Sequence, residues 1–244
     1  MKPILAVERL EKRYGVKTVV DQVSFMAATG ECLGIIGPNG AGKTTVFNLL
    51  DGSLAANGGK VVLDEVDITR LPQYQRARRG IGRAFQIPRP FAGLTVFENV
   101  LAGVMHGADR RTAPPRRALE ILEAVGLAHK RDLVAGGLPL LDRKRLELAK
   151  AMSVGTRLLL LDEVAGGLTE HEVLQLVDIV NVLKRNHAVI WIEHIAHALM
   201  AAADRILVLH FGAKLVEGPP AEVMASAIVQ EVYLGISVDV AAGA

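Results

Sequence analysis

The residues that carry chemistry most directly lie at Gly37-Pro38-Asn39-Gly40-Ala41-Gly42-Lys43-Thr44-Thr45. They fit the spacing G-x-x-x-x-G-K-[ST] of a phosphate-binding loop. A polyphosphate needs many short donors converging on one point. Glycines let the backbone curl so that successive N–H groups point inward. A helix starting near Lys43 adds its positive dipole end. Lys43 supplies a point charge for the β and γ phosphates, and the hydroxyl of Thr44 suits Mg²⁺. Asn39, Gly40, Ala41, Gly42, Lys43, Thr44 and Thr45 are thus the candidate phosphate-binding residues. A glycine-rich turn without ligand would not need the flanking pattern seen here. Cys32-Leu33-Gly34-Ile35-Ile36 reads as a buried strand entering the loop, and Val46-Phe47-Asn48-Leu49-Leu50 as a helix leaving it.

Further chemistry-bearing residues sit at the ends of other apolar runs. Leu158-Leu159-Leu160-Leu161-Asp162-Glu163 ends a continuous apolar strand on two carboxylates. In phosphate-loop enzymes the first such carboxylate reaches Mg²⁺, and a second beside it can polarise an attacking water. Without the upstream loop, the same pair would read as a solvated turn or a helix cap. His194 follows the apolar run ending Trp191-Ile192-Glu193 and is placed where ligands bind in open α/β sheets. A histidine there can hydrogen-bond a γ-phosphate, although alone it is more often structural. Gln86 follows the strand ending in Phe85 and is placed to sense Mg²⁺ or water; alone it carries no signal.

The elements that must position these residues read as an α/β fold. Strands are predicted at 4–9 and 18–25, antiparallel, with Tyr14 in the turn between them. Strand 31–36, the loop and a helix over 43–52 follow, then a Gly58-Gly59 turn into a strand at 60–64. Arg76, Arg78 and Arg79 read as a solvated basic helix face. Strand 80–85 precedes a change of texture. Over 87–155 strand patterns vanish, and helices are predicted at 95–105, 115–126 and 142–154, broken by Pro88, Pro90, Pro114 and Pro115. Parallel α/β texture returns with strand 157–162, helix 170–185, strand 188–193, helix 195–203 and strand 205–210. A short strand at 213–217 and a helix over 220–234 complete the series. The tail from Ser237 is small, apolar and frayed on this reading.

With 244 residues, half of them hydrophobic, the chain can hold one large core with a subdomain. A net charge of +2 leaves no nucleic-acid footprint. The single cysteine, Cys32, excludes an intrachain disulfide and suits a reducing compartment. Charge arrives too early in Met1 to Glu8 for a signal peptide, and no apolar run approaches a membrane span.

In order and spacing the motifs resemble the nucleotide-binding subunits of ABC transporters over essentially the whole chain. Tyr14 matches that family's adenine-stacking aromatic, Gly37 to Thr45 its Walker A loop, Gln86 its Q-loop glutamine, Asp162 and Glu163 its Walker B pair, and His194 its switch histidine. The resemblance implies a phosphate-loop core with a mixed sheet, a parallel RecA-like part and an antiparallel β edge, plus an inserted helical subdomain. On that scheme residues 1–86 and 156–244 form the ATP-binding core and residues 87–155 the helical signature subdomain. It implies ATP and Mg²⁺, with Thr44, Gln86 and Asp162 at the metal and Glu163, His194 and Gln86 in hydrolysis. Within the family, Gly82-Arg83-Ala84-Phe85-Gln86, Leu94 to Val100, Arg145 to Ala149, Ile192-Glu193-His194 and Tyr233-Leu234-Gly235 look like the branched-chain amino-acid importers of LivG type. Such importers join two ATPase subunits to two membrane permeases on the cytoplasmic face of the inner or plasma membrane, and a separate solute-binding protein delivers the substrate.

One segment departs from that family. Its members carry a signature of the type Leu-Ser-Gly-Gly-Gln at a helix start; here the aligned residues are Leu138-Pro139-Leu140-Leu141-Asp142. Pro139 lies 23 residues before Asp162. The nearby Ala135-Gly136-Gly137-Leu138 is four residues out of register. Pro139 lacks both hydroxyl and N–H, Leu141 adds bulk, and Asp142 sets a negative charge toward phosphate unless it caps the following helix. Arg143, Lys144 and Arg145 partly offset that charge. These changes imply a heterodimer in which a second ATPase subunit brings an intact signature. A non-transport or regulatory ABC protein with little hydrolysis is the alternative, although neither an extra domain nor a paired cassette accompanies it. A GTPase is disfavoured because no Asn-Lys-x-Asp guanine reader occurs, and a kinase has no use for Gln86 and His194 at these strand ends.

Overall fold

The computed structural model describes residues 3–107 and 112–234. Two sheets face each other. The smaller is antiparallel, in the order β2-β1-β4-β5, from β1 (Pro3–Tyr14), β2 (Lys17–Ala28), β4 (Gly58–Leu63) and β5 (Val66–Asp67). The larger runs β10-β9-β3-β8-β7-β6, from β3 (Cys32–Ile36), β6 (Ile81–Ala84), β7 (Leu158–Asp162), β8 (Ala188–Ile192), β9 (Arg205–His210) and β10 (Ala213–Gly218). Four of its five pairings are parallel, and the β9–β10 edge is antiparallel. This is the mixed-sheet phosphate-loop architecture that the motifs imply.

Every residue of β3, β7 and β8 is buried, as their unbroken apolar runs require. Period-two alternation divides those side chains between two cores. Leu33 and Ile35, Leu158 and Leu160, and Ile190 and Ile192 face the core shared with the small sheet and α1 (Lys43–Asp51). Cys32 and Ile36, Leu159 and Leu161, and Val189 and Trp191 face the opposite core. Burial pushes the Cys32 thiol up to about 12, so it acts as a small apolar filler.

That second core is closed by helices. Between β6 and β7 the described regular elements are helical: α3 (Val96–His106), α4 (Pro114–Ala124), two short 3₁₀ turns and α5 (Leu140–Ser153). Val100, Ile121, Leu122, Leu146 and Leu148 join the same cluster as Leu159 and Trp191. The cluster also takes in α6 (Glu170–Leu183) through Leu176 and Val180, and α7 (Ala196–Ala202) through Leu199. Thr95 and Thr169 begin α3 and α6 with full capping boxes to Glu98 and Glu172.

Three expectations change. Arg76, in α2 (Gln73–Arg78), is buried and not on a solvated face. Its guanidinium donates to the carbonyls of Leu49 (2.6 Å) and Leu50 (3.0 Å) at the C-terminal end of α1, and to those of Leu71 (2.8 Å) and Thr69 (2.8 Å) in the segment before α2. Gly58 and Gly59 belong to β4 itself. The predicted helix over 220–234 is two, α8 (Pro220–Ala225) and α9 (Ala227–Leu234), because Ser226 turns extended and its carbonyl receives the N–H groups of Val229 and Gln230. Gly235 and the tail from Ser237 lie outside the described residues.

Candidate functional site

The loop after β3 is held from three directions. The Gly212 N–H, in the β9–β10 turn, donates to the Ala41 carbonyl (3.1 Å), and the Asp21 N–H of β2 donates to Gly212 (2.8 Å). Gly42 precedes α1 at φ 98°, where a Cβ would lie 2.6 Å from the Val19 carbonyl oxygen. Lys43 opens α1, is buried, and donates from Nζ to the loop carbonyls of Gly37 (2.7 Å) and Pro38 (3.1 Å). Burial lowers its pKa, and the charges of Glu163 and Asp162 oppose that shift. Thr44 is exposed. The residues Asn39 to Thr45, with Val19 and Glu163, line one cavity of about 210 Å³.

Two predicted residues approach the carboxylate of a third, Glu163. Gln86 Nε2 donates to Glu163 Oε2 (2.7 Å), and His194 Nδ1 lies 4.0 Å from the same oxygen and 3.4 Å from Glu193 Oε2. Glu163 follows β7 at φ 46°, a left-handed backbone uncommon for a glutamate, fixed by its N–H donating to Ile192 (2.8 Å). Asp162, one residue earlier, is buried and receives Arg83 Nη2 at Oδ2 (2.6 Å). Tyr14 ends β1, half exposed, with the Lys12 ammonium 5.2 Å from its ring centroid.

Glu193, Arg83 and Asp51 had no role in the sequence reading, and Lys144 was read only as part of a basic helix start; all four organise this cluster. Glu193, fully buried, accepts the N–H groups of Ala165 (2.9 Å) and His194 (3.0 Å), joining the segment after Glu163 to the histidine. Burial holds its carboxyl above the usual range. Lys144, buried in α5, donates to the Gln86 carbonyl (2.6 Å), and burial lowers its pKa. Arg83 and Asp51 complete the set. The available signal was a charge inside an apolar periodic run: Arg83 within a strand, Lys144 at a core-facing position of a helix.

The segment aligned with the signature has a different electrostatic face from the one expected. Pro139 is the N-cap of α5 and has no side-chain cap, and Leu140 is exposed. Asp142 neither caps the helix nor points its charge outward. It is buried, paired with Lys130 and 3.7 Å from Arg145 Nη1. Its position in the first helical turn also suits the helix dipole. What this surface presents is therefore apolar rather than anionic. Ala135 to Gly137 form a 3₁₀ turn, with the Gly136 N–H donating to Ala92 (3.1 Å).

Comparison with known proteins agrees with this geometry. The ABC transporter family profile matches residues 20–166. The chain belongs to the ABC transporter family. It is an ABC ATPase cassette, and cassettes of this family work with membrane permease components. The high-affinity branched-chain amino acid transport ATP-binding protein LivG of Salmonella typhimurium is 37% identical, over 96% of this chain and 98% of LivG. The lipopolysaccharide export system ATP-binding protein LptB of Escherichia coli K12 is 34% identical, over 95% and 97%. Among solved structures, the ADP conformation of MJ1267, an ATP-binding cassette of an ABC transporter, superposes with a TM-score of 0.88 at 29% identity, covering 97% of this chain and all of that one. No described helix of the cassette is long and apolar enough to cross a membrane.

The donors near the loop suit Mg²⁺. Thr44 offers a hydroxyl, Gln86 an amide oxygen, and Asp162 the carboxylate oxygen that Arg83 does not use. Such an all-oxygen set, with few protein ligands and substrate phosphates completing it, is what this ion prefers.

Proposed function

We propose that this cassette binds ATP at Asn39 to Thr45 and hydrolyses it as one half of an asymmetric pair in an importer of branched-chain or related amino acids. The observation that carries the hydrolytic reading is the convergence of Gln86 and His194 on Glu163, at the rim of the loop cavity.

ATP binding would draw Lys43 Nζ from the loop's own carbonyls to the β and γ phosphates, whose charge it balances. Thr44, Asp162 and Gln86 would hold Mg²⁺, which neutralises charge on the polyphosphate. Glu163 then accepts the proton of a water aligned with the γ-phosphate, and His194 orients that phosphate. Gln86 links this event to the helical residues 87–155, because Lys144 of α5 grips its carbonyl. Tyr14 stacks on the adenine.

The partner follows from the signature segment. Pro139 supplies neither a hydroxyl nor an N–H to a phosphate across an interface, and Leu140 and Leu141 occupy the close-approach positions of the two glycines. A site that relies on this segment is therefore expected to be weak or silent, in a homodimer as in a mixed pair. A different ATPase subunit with an intact signature completes the site built on Lys43. Two permeases and a solute-binding protein complete the transporter, and the peripheral position is the cytoplasmic face of the membrane. Gly82 to Gln86 and Leu94 to Val100, together with LivG similarity, support the amino-acid substrate; the near-equal similarity to LptB favours lipopolysaccharide export as the second reading.

The test is ATPase turnover of the purified chain alone, then with a second cassette and the permeases in proteoliposomes. Slow, non-cooperative turnover alone and activation by the partner are expected. Robust cooperative turnover of the homodimer would sink the asymmetric pair. Stimulation by a leucine-loaded binding protein, rather than by lipopolysaccharide, decides between the two substrates.

A further inference from the structure

We propose that Asp51, at the far end of α1 from the phosphate loop, sets the Mg²⁺ affinity of the site by drawing Arg83 away from full neutralisation of Asp162. The inference rests on the reading of Asp162 as a metal-side carboxylate. Three charged side chains carry it, each nearly inaccessible to solvent: Arg83 at 8%, Asp51 at 5% and Asp162 at 9%. The Arg83 guanidinium divides its arms. Nη2 donates to Asp162 Oδ2 (2.6 Å), while Nη1 donates to Asp51 Oδ2 (2.7 Å) and Asn48 Oδ1 (2.7 Å).

Asp51 is otherwise out of place. It is the last residue of α1, where the helix dipole disfavours an anion. Its Oδ1 accepts the Ser53 N–H (2.8 Å), a need that an asparagine would meet equally well. The charge itself answers to Arg83, and more distantly to Arg76, whose guanidinium also feels it. Stacking fixes the guanidinium further, with its centre 5.6 Å from the Phe47 ring centroid and 4.8 Å from that of Phe85.

The consequence is electrostatic. A buried guanidinium facing Asp162 alone would cancel its charge and weaken any cation site built on it. Shared between two carboxylates, it holds Asp162 through one charge-assisted hydrogen bond and Asp51 through another, leaving net negative charge in the triad. Asp51 and Arg83 are therefore positioning residues that act through Asp162. The same guanidinium ties α1, β6 and β7 together immediately before Gln86.

The experiment measures ADP affinity of the purified full chain by calorimetric titration, in EDTA and at graded Mg²⁺, with thermal melting as a control. Asp51→Asn removes the charge and keeps one accepting oxygen, while the Asn48 Oδ1 bond to Arg83 Nη1 remains. The expected result is an unchanged affinity in EDTA and a Mg²⁺ midpoint raised about tenfold, the usual scale for residues behind a metal ligand. Asn48→Asp adds a second anion on the Nη1 side and is expected to lower the midpoint several-fold, a gain that destabilisation cannot mimic. An unchanged midpoint in Asp51→Asn, or an unchanged or raised one in Asn48→Asp, overturns the proposal. Asp162→Asn separates the two levels. If it too leaves the midpoint unmoved, the metal role of Asp162 fails; if it abolishes the Mg²⁺ effect while the other variants do nothing, only the role of Asp51 fails.

Discussion

Two glycines of the phosphate loop share a left-handed backbone but not an environment, and the difference predicts a measurable ranking. Gly40 has φ +82° and Gly42 φ +98°. Alanine at either position carries the left-handed strain of an L-residue, about 1–2 kcal/mol. At Gly40 a Cβ meets nothing within 4 Å. At Gly42 it lies 2.6 Å from the Val19 carbonyl oxygen, a backbone atom of β2 that cannot rotate away, and 3.7 Å from Gly212 Cα. Overpacking of that kind adds about 1–3 kcal/mol. Gly42→Ala is therefore expected to cost roughly 2–5 kcal/mol and Gly40→Ala roughly 1–2 kcal/mol. In a chain of this size the first corresponds to a melting temperature lower by about 10 °C and the second by about 3–5 °C. Calorimetric or fluorescence melts check the ranking, and ATP titration reads the consequence for the loop. Should Gly40→Ala destabilise as much as Gly42→Ala, the argument from the Val19 contact is wrong.

Other outcomes follow from the same structure. Glu163→Gln is expected to retain ATP binding while hydrolysis in the assembled complex falls by about 10²–10⁴-fold, as for loss of a general base; normal turnover there would remove Glu163 from the mechanism. Arg76→Met strips four carbonyl acceptors of a buried cation and is expected to cost about 3–5 kcal/mol, whereas Arg78→Ala, on the exposed side of α2, changes stability within about 0.5 kcal/mol; denaturant melts compare them. For Glu193, burial raises the carboxyl above 4.5, so the folded state holds its proton over a range where the unfolded state has lost it. Stability from this group is present at acid pH and declines as pH rises past the ordinary carboxylate range. Glu193→Gln is expected to remove that decline, so the variant gains melting temperature relative to the parent as pH rises above the ordinary carboxylate range; parallel pH profiles would contradict it.

Much of the site was legible before any coordinates. A phosphate loop is a local device: glycine spacing, a lysine and a hydroxyl specify it within nine residues, and the strand and helix around it follow from adjacent apolar runs. The carboxylate pair, Gln86 and His194 could be placed because each follows an apolar run whose composition and length are sequence properties. Helix starts at Thr95 and Thr169 were likewise written locally, in capping boxes. Arg76 misled because a basic cluster looks solvated by composition, while its burial depends on carbonyls of α1 some 26 residues away. Asp142 misled for the same reason, since Lys130 and Arg145 turn its charge inward.

By itself, then, the sequence determined the chemistry on offer: a phosphate-loop pattern, strand-end carboxylates, and a signature-aligned segment whose proline and leucines offer neither a hydroxyl nor the small size of glycine. Hydrogen-bonding capacity and side-chain volume belong to residue types and need no fold to be known. Tertiary structure alone decided how charges are shared. Arg83 reaches Asp51 and Asp162 across 32 and 79 residues, and Lys144 finds the Gln86 carbonyl across 58. Such pairings arise where strands and helices distant in the chain share one dry core, and there the low dielectric makes each charge answer to whichever neighbour packing supplies.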